Sequence, residues 1–364
     1  MRKTISTVAA CLAVAACSAQ WVTLNSTTSN HLRDVDFTDP NKGVIVGDAG
    51  TILYTSNGGA AWADINNGII HGDIYSVSMI NPDTIYVSSF DAASTSATVY
   101  LTVNGGAAWN PVASTSTTNH KMDLGAPVTN HLFATCTDLI GTADMGITWD
   151  TLYPNIAGTT SLSDLKFADA GTIHASGLVA GFASYSAYFI RSGDGGAHWY
   201  AGDVFSFPNS DAFTALCFIN ADTAYMFTNH YIGFSQGTQN GMIRMTNFQL
   251  NASPIDTLWG FSSSIVNSAT PCYVNDAYFD NASHGFIAGK DGNVHVTSNG
   301  GTGWSVDYTG SSASPLNKMA FAGNTGYAVG DNGTLIKYTT ITGISPVSSQ
   351  EGISVCPNPA NDWL

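Results

Sequence analysis

"TSNGGAAW" occupies Thr55–Trp62, "TVNGGAAW" Thr102–Trp109 and "TSNGGTGW" Thr297–Trp304. Two looser copies, "TADMGITW" ending at Trp149 and "SGDGGAHW" ending at Trp199, keep the same order of hydroxyl, Asn or Asp, Gly and Trp. Trp259 ends a decayed version, "ASPIDTLW", and Trp21 stands with no box before it. From Trp21 onward the tryptophans recur about every 47 residues, the period of a four-stranded propeller blade.

Each unit repeats one inner order. A first strand ("LRDVDF", "IYSVSMI", "KMDLGA", "LSDLKF", "FTALCFI", "VNDAYF", "NKMAFA") is followed by a turn and a small apolar second strand such as "GVIVG" or "GFIAG". A third strand alternates, as in "TILYTS", and the Trp opens a fourth, as in "WADI", "WNPV", "WDTL" and "WSVD". Strand-length runs punctuated by Gly, Asp and Asn leave little room for helix. The last unit has three strands and no Trp, whereas the chain after residue 20 opens with "WVTL", Trp21–Leu24, a fourth strand lacking its first three. An open array would expose an edge strand and an apolar face at each end. The sequence therefore predicts an all-β, seven-bladed β-propeller closed by Trp21–Leu24 joining the last blade.

The box belongs to the hairpin between third and fourth strands. Asn57, Asn104, Asp144, Asp194 and Asn299 can bond nearby backbone N–H groups, and Gly59, Gly106, Gly146, Gly196 and Gly301 accept angles that other residues resist. The Trp covers the hairpin with a large apolar face. The pattern S/T-x-N/D-x-G-x-x-W resembles the Asp-box, or bacterial neuraminidase repeat. Units such as "VDFTDPNKGVIVGDAGTILYTSNGGAAW" resemble the propeller repeats of photosystem II stability/assembly factors across residues 20–340. That resemblance speaks for fold; function has to come from a site.

Met1–Ala19 reads as a secretory signal: Arg2 and Lys3, then a short apolar run and the small residues of "CSAQ". "VAAC", Val14–Cys17, resembles a lipobox, which makes lipid anchoring through Cys17 the alternative to plain cleavage. Residues 341–352 read as a linker. "ISVCPNPANDWL", Ile353–Leu364, resembles the opening of the type IX secretion sorting domain of Bacteroidetes, shortened, with Pro357, Asn358, Pro359, Ala360 and Asp362 carrying the match. These segments imply an extracellular or outer-surface protein, with the type IX machinery as a partner if the sorting domain is whole.

Charged residues make up only 10% of the chain, and the formal charge is −15. That excludes nucleic acid as a partner, because such binding needs a basic footprint. No transmembrane segment is expected, and a monomer is. Cys136, Cys217, Cys272 and Cys356 show no CxxC, and no HExxH or DxDxDG spacing marks a metal site; no cofactor or metal is expected.

Sialidase chemistry does not fit, since the family's three-Arg cluster and Tyr–Glu pair would have to come from Arg33, Arg191, Arg244 and a propeller without Glu. No catalytic residue is assigned. First-strand carboxylates Asp36, Asp123, Asp164 and Asp276, with Asp211 just before another strand, keep an extracellular glycoside hydrolase with Asp catalysts as the alternative. Asp164 and Asp276 occupy equivalent repeat positions and Asp36 lies close to them, which favours a structural role. Units two, four and five replace a tight turn between second and third strands by "SSFDAASTSAT", "GLVAGFASYSAY" and "TNHYIGFSQGTQNG". These loops are expected on the face opposite the boxes, where Phe90, Phe182, Tyr185, Tyr188, Tyr231 and Phe234 can stack on a glycan or protein ligand. The expected role is a non-catalytic binding or scaffold module.

Overall fold

The computed structural model describes residues 19–340 apart from 117–121, 129, 136–137, 154–159, 181–184, 202–204, 207–211, 221–222, 232–237, 247–261 and 268–271. The segments read as a leader and as a sorting motif lie outside the described residues, as do Trp259 and Asp211. Seven antiparallel sheets follow one another in chain order. Their first strands are Leu32–Asp39, Asp73–Met79, Leu124–Val128, Thr160–Phe167, Ala212–Asn220, Val274–Phe279 and Leu316–Ala322, defining blades 1 to 7. These strands touch each other in sequence, and the seventh touches the first, so they line the axis of a closed ring. No α-helix occurs among the described residues.

Closure follows the expected route. Ala19–Thr23 is the outer strand of blade 7, antiparallel to Leu335–Thr340, with Trp21 opposite Tyr338. The Trp21 ring is 3% exposed. It meets Phe286 and Phe321 edge-on at 5.8 and 6.1 Å and Tyr338 at 5.2 Å, so it seals blade 7 against blade 6. Blade 7 is then fastened to blade 1. Phe37 stacks on Tyr327 with centroids 3.8 Å apart, Asn317 Nδ2 donates to Leu32 O at 2.8 Å, and Lys337 Nζ donates to Gly58 O at 2.7 Å.

The box is built identically in blades 1, 2, 3, 4 and 6. In blade 1 the Thr55 hydroxyl accepts from Gly59 N at 2.9 Å and donates to Asn57 Oδ1 at 3.0 Å, while Asn57 Oδ1 accepts from Ala61 N at 2.9 Å. Thr102, Thr142, Ser192 and Thr297 repeat the hydroxyl's part. The hydroxyl is thus as much a part of the turn as the Asn or Asp that the sequence reading emphasised. The second glycine is obligatory for two reasons: Gly106 has φ 88°, and an added Cβ would sit 2.7 Å from Cβ of Ile65 in the preceding blade. The Trp reaches the same neighbour, with Trp109 Nε1 donating to Ile65 O and Trp149 Nε1 to Val112 O, both at 2.9 Å. The boxes of blades 2 and 3 therefore hold their own hairpins and also bond the blade before them, whereas Trp199 Nε1 donates to Gly196 O of its own hairpin.

Two predictions follow from this packing. Trp21→Ala should cost about 3–5 kcal/mol, the usual price of emptying a buried Trp site; deleting residues 20–28 should lower Tm further and promote association through the bared edge. Denaturant titration with size-exclusion chromatography checks both, and a stable monomeric deletion would contradict them. In acid, the Asp144 carboxyl is held down from 3.8 to about 2 by hydrogen bonds from the Thr148 side chain and backbone and from Thr142. A carboxyl depressed by folding contributes stability that is present above its unfolded value and is lost as pH falls through its folded value. Asp194 is also held low: burial opposes this, but bonds from His198 and Ser192 outweigh it. Asp144→Asn with Asp194→Asn, copying the Asn of the other boxes, should make the chain lose less stability between pH 3.8 and about 2. Acid melting curves of variant and parent provide the comparison.

Candidate functional site

Backbone bonds sort the turns onto two faces. Gly58, Gly105, Gly195 and Gly300 of the box hairpins bond the turns between first and second strands. Asp48, Gly50, Lys290 and Asp331, in turns between second and third strands, bond the segments that lead into first strands. The two sets of connections lie at opposite ends of the ring, as expected.

On the end opposite the boxes, blades 1, 6 and 7 have tight turns. In blades 2, 4 and 5 the runs read as loops are instead mostly strand. Ile85–Asp91 pairs with Ser96–Thr102, Ile173–Ala180 with Tyr185–Ser192, and Thr223–Tyr231 with Thr238–Thr246 in continuous register. Small and hydroxylated residues let the ladder continue, so these blades carry hairpins extended toward this face. The aromatic candidates divide accordingly. Phe90 is 4% exposed and packs with Tyr86, Ala97, Leu124 and Leu132 between blades 2 and 3, so its ring belongs to the core and is not a surface platform. Tyr185 and Tyr188 lie on the third strand of blade 4, opposite Ala180 and Gly177, and Tyr231 ends the second strand of blade 5 opposite Thr238. Phe182 and Phe234 lie outside the described residues.

The first strands build a polar belt around the axis. In six of them the pairing register slips by one residue near the start of the strand, a β-bulge that re-aims the next side chain, whereas in blade 3 the slip comes later, between Gly125 and Val128. The residue after the slip is Asp34, Ser76, Asp164, Ala215, Asp276 or Lys318; Asp123 fills the place in blade 3. Asp34, not Asp36, is therefore the blade 1 equivalent of Asp164 and Asp276. The sequence reading missed it although Asp34, Asp164 and Asp276 stand third in "LRDVDF", "LSDLKF" and "VNDAYF", so aligning the repeats was the signal that finds it.

Most of this belt is committed to joining blades. Asp34 Oδ2 accepts from Val77 N at 2.9 Å, Asp123 Oδ2 from Leu165 N at 2.8 Å and Asp276 Oδ2 from Met319 N at 2.9 Å. Ser76 does the same with its hydroxyl, accepting from Leu124 N at 3.2 Å. Asp36 repeats the device one level along, accepting from Met79 N at 2.7 Å. Each acceptor takes an N–H of the next blade, so the ring is stitched in one direction. Ser76 Oγ also lies 3.0 Å from Asp34 Oδ2 and 2.7 Å from Asp123 Oδ1; with a single proton it can donate to one at a time.

Two lysines complete the belt. Lys166 Nζ lies 3.5 Å from both Asp164 Oδ1 and Asp276 Oδ1, and Lys318 Nζ 3.9 Å from Asp164 Oδ1. Burial works against the Lys318 ammonium, but Asp276, Asp123, Asp164 and Asp34 outweigh it and hold the proton well above the usual lysine range. Lys166 is raised too: burial opposes, and Asp164, Asp276 and Asp123 prevail over the repulsion of Lys318. Burial pushes the Asp34 carboxyl up, against Lys318 and the Val77 and Val35 N–H groups, and pushes Asp36 up as well. Both lysines are cations at neutral pH, so neither is a base or nucleophile. Of the three arginines among the described residues, Arg33 is clamped by Asp48 at 2.7 and 2.9 Å, Arg191 is buried on a third strand and Arg244 is exposed on another. No arginine cluster forms on the axis.

Comparison with known proteins agrees with this architecture. The family model of the photosynthesis system II assembly factor YCF48 matches residues 13–113. No curated protein matches the chain. Among solved structures, YCF48 from Cyanidioschyzon merolae is similar at 19% identity and a TM-score of 0.65, over 88% of this chain and 99% of that one. YCF48 bound to D1 peptide is similar at 17% identity and 0.63, over 88% and 97%. A GH74 xyloglucanase from Xanthomonas campestris gives 12% and 0.60, over 87% of this chain and 53% of that one. At these identities the structural likenesses establish the fold, a seven-bladed β-propeller with YCF48-like repeats.

Proposed function

We propose that this propeller is a non-catalytic binding module, displayed outside the cell, that takes a protein segment or a glycan on the face opposite the boxes. The observation that carries the reading is the state of the axial carboxylates. Asp34, Asp36, Asp123 and Asp276 accept backbone N–H groups from the next blade, and Asp164 neighbours two lysines. Glycoside hydrolysis needs one carboxylic acid to protonate a leaving group and a second carboxylate as base or nucleophile. A carboxylate whose oxygens are tied to the scaffold is poorly placed for either task.

The hairpins of blades 2, 4 and 5 supply the better surface. Tyr185, Tyr188 and Tyr231 are the proposed contacts, together with Phe182 and Phe234 of the same sequence runs, since aromatic rings bring large area at low entropic cost. The structural neighbour seen with a bound D1 peptide supports a protein segment as ligand. The leader and the sorting-like tail support export, with lipidation at Cys17 as the other route to the surface. No helix among the described residues is long and apolar enough to cross a membrane.

Peptide and glycan arrays run beside a chromogenic-glycoside panel test this reading. Binding without turnover is expected, and Tyr188→Ala or Tyr231→Ala should weaken the captured ligand by about tenfold, the loss of roughly 1.4 kcal/mol. Asp123→Asn and Asp276→Asn should lower stability by about 1–3 kcal/mol each, as expected for impaired hydrogen bonding by a buried charged group, and leave array binding unchanged. Glycoside turnover that disappears in Asp123→Asn would replace the binding role with a hydrolase.

A further inference from the structure

Blade 6 departs from its sister blades at three places that meet in space. His295 lies in the strand Val294–Thr297, opposite Ile287. The same position is Leu53 in blade 1, Ile140 in blade 3, Ile190 in blade 4, Ile243 in blade 5 and Ile336 in blade 7, with Tyr100 in blade 2, each set by its pairing with the second strand. An imidazole thus stands where five of the other blades have an aliphatic side chain, and it is 4% exposed. Asp291 sits in the adjoining tight turn where blade 1 has Ala49 and blade 7 has Asn332. Cys272, 5% exposed, precedes the first strand where blade 1 has Asn30. In blade 1, Asn30 serves the turn as a neutral donor, bonding Thr51 Oγ1 at 2.9 Å. Blade 6 needs no such trio to fold its turn, since Lys290 N still bonds Tyr273 O at 3.0 Å and Gly292 N bonds Gly289 O at 3.0 Å.

The three side chains converge. One donor atom from each of Cys272, Asp291 and His295 lies within 4.8 Å of the others. His295 Nε2 is 2.7 Å from Asp291 Oδ2. Asn293 orients the carboxylate from behind, with its N–H 3.1 Å from Oδ1 and its Nδ2 3.0 Å from Oδ2. The Asp291 side chain is 28% exposed, so the cluster has a wet entrance beside two dry ligands.

We propose that Cys272, Asp291 and His295 form a three-ligand site for a divalent transition metal of zinc type. Thiolate, imidazole and carboxylate on one centre suit a borderline cation; calcium and magnesium call for oxygen shells that this cluster does not supply. Ligands at about 2.0–2.3 Å from zinc lie roughly 3.5 Å apart in a tetrahedron, so small side-chain rotations from the present arrangement suffice. The fourth position falls to solvent. On binding, the metal takes the place of the thiol proton, which leaves to water, and the neutral His295 ring offers the Nε2 lone pair with its proton on Nδ1. The bound ion would tie the lead-in segment, the turn and the third strand of blade 6 together at the ligand-facing end of the ring. Lys290, the cation of that turn, places its Nζ 3.8 Å from the Tyr273 ring centroid.

The test uses the full chain, reduced and stripped with chelator, with Co2+ as a spectroscopic probe and Zn2+ as competitor. A thiolate-to-cobalt charge-transfer band saturating at one equivalent is expected, with its loss on adding Zn2+ and a rise in Tm with either metal. Cys272→Ser should abolish the band. His295→Leu, the residue of blade 1, should keep or raise the metal-free Tm and weaken Zn2+ binding by more than about a hundredfold, beyond the loss typical of an outer-shell partner. Should His295→Leu fail to fold, Asp291→Asn, which matches the Asn of blade 7, provides the second affinity measurement. Absence of the band in the parent chain, its persistence in Cys272→Ser, or metal affinity unchanged in His295→Leu or Asp291→Asn would overturn the site.

Discussion

The pairing of Ala19–Thr23 with Leu335–Thr340 is the constraint on which the ring rests. A sheet ending at Leu335–Thr340 would expose a row of unpaired backbone groups and the apolar face around Phe286 and Phe321. Trp21 covers that face from the far end of the described chain. Two segments more than three hundred residues apart are thereby held in one hydrogen-bonded sheet, and fraying of either ring end requires the other to open.

Inside the ring, stability and polarity are one arrangement. Carboxylates are costly to bury unless bonded. Here each bond also reaches the next blade, so the expense of burial is recovered as cohesion between sheets that share few backbone contacts. The boxes do the corresponding work at the other end, where glycines without Cβ let Ile65 or Val112 of the preceding blade approach and a tryptophan N–H bonds that blade's carbonyl. Grip at both ends explains how blades of such irregular length keep one ring geometry.

That division leaves the face opposite the boxes comparatively unconstrained. Its turns can lengthen into hairpins, as in blades 2, 4 and 5, or exchange residues, as in blade 6, without disturbing the axis or the boxes. Variation concentrates where the scaffold tolerates it, and both the proposed ligand contacts and the cysteine–aspartate–histidine cluster fall on this side.

Blade number, strand order, closure by Trp21 and the two-faced distribution of turns were all legible in the sequence. They follow from local pattern: a box in five of the seven units, alternation within strands and an orphan fourth strand at the start. What it could not disclose depends on contacts between distant segments. The place of Asp34 beside Asp164 and Asp276 was legible by aligning the repeats, whereas the bulge that aims these side chains is a shift in pairing, invisible to alternation. Phe90 looked like a loop aromatic until its neighbours across the blade 2–blade 3 boundary were in place. Cys272 and His295 lack any motif spacing, because the turn at Asp291 brings them together across strands. Local chemistry determined the fold, and only the folded ring decided which side chains meet, since those meetings are set by register and by the approach of neighbouring blades.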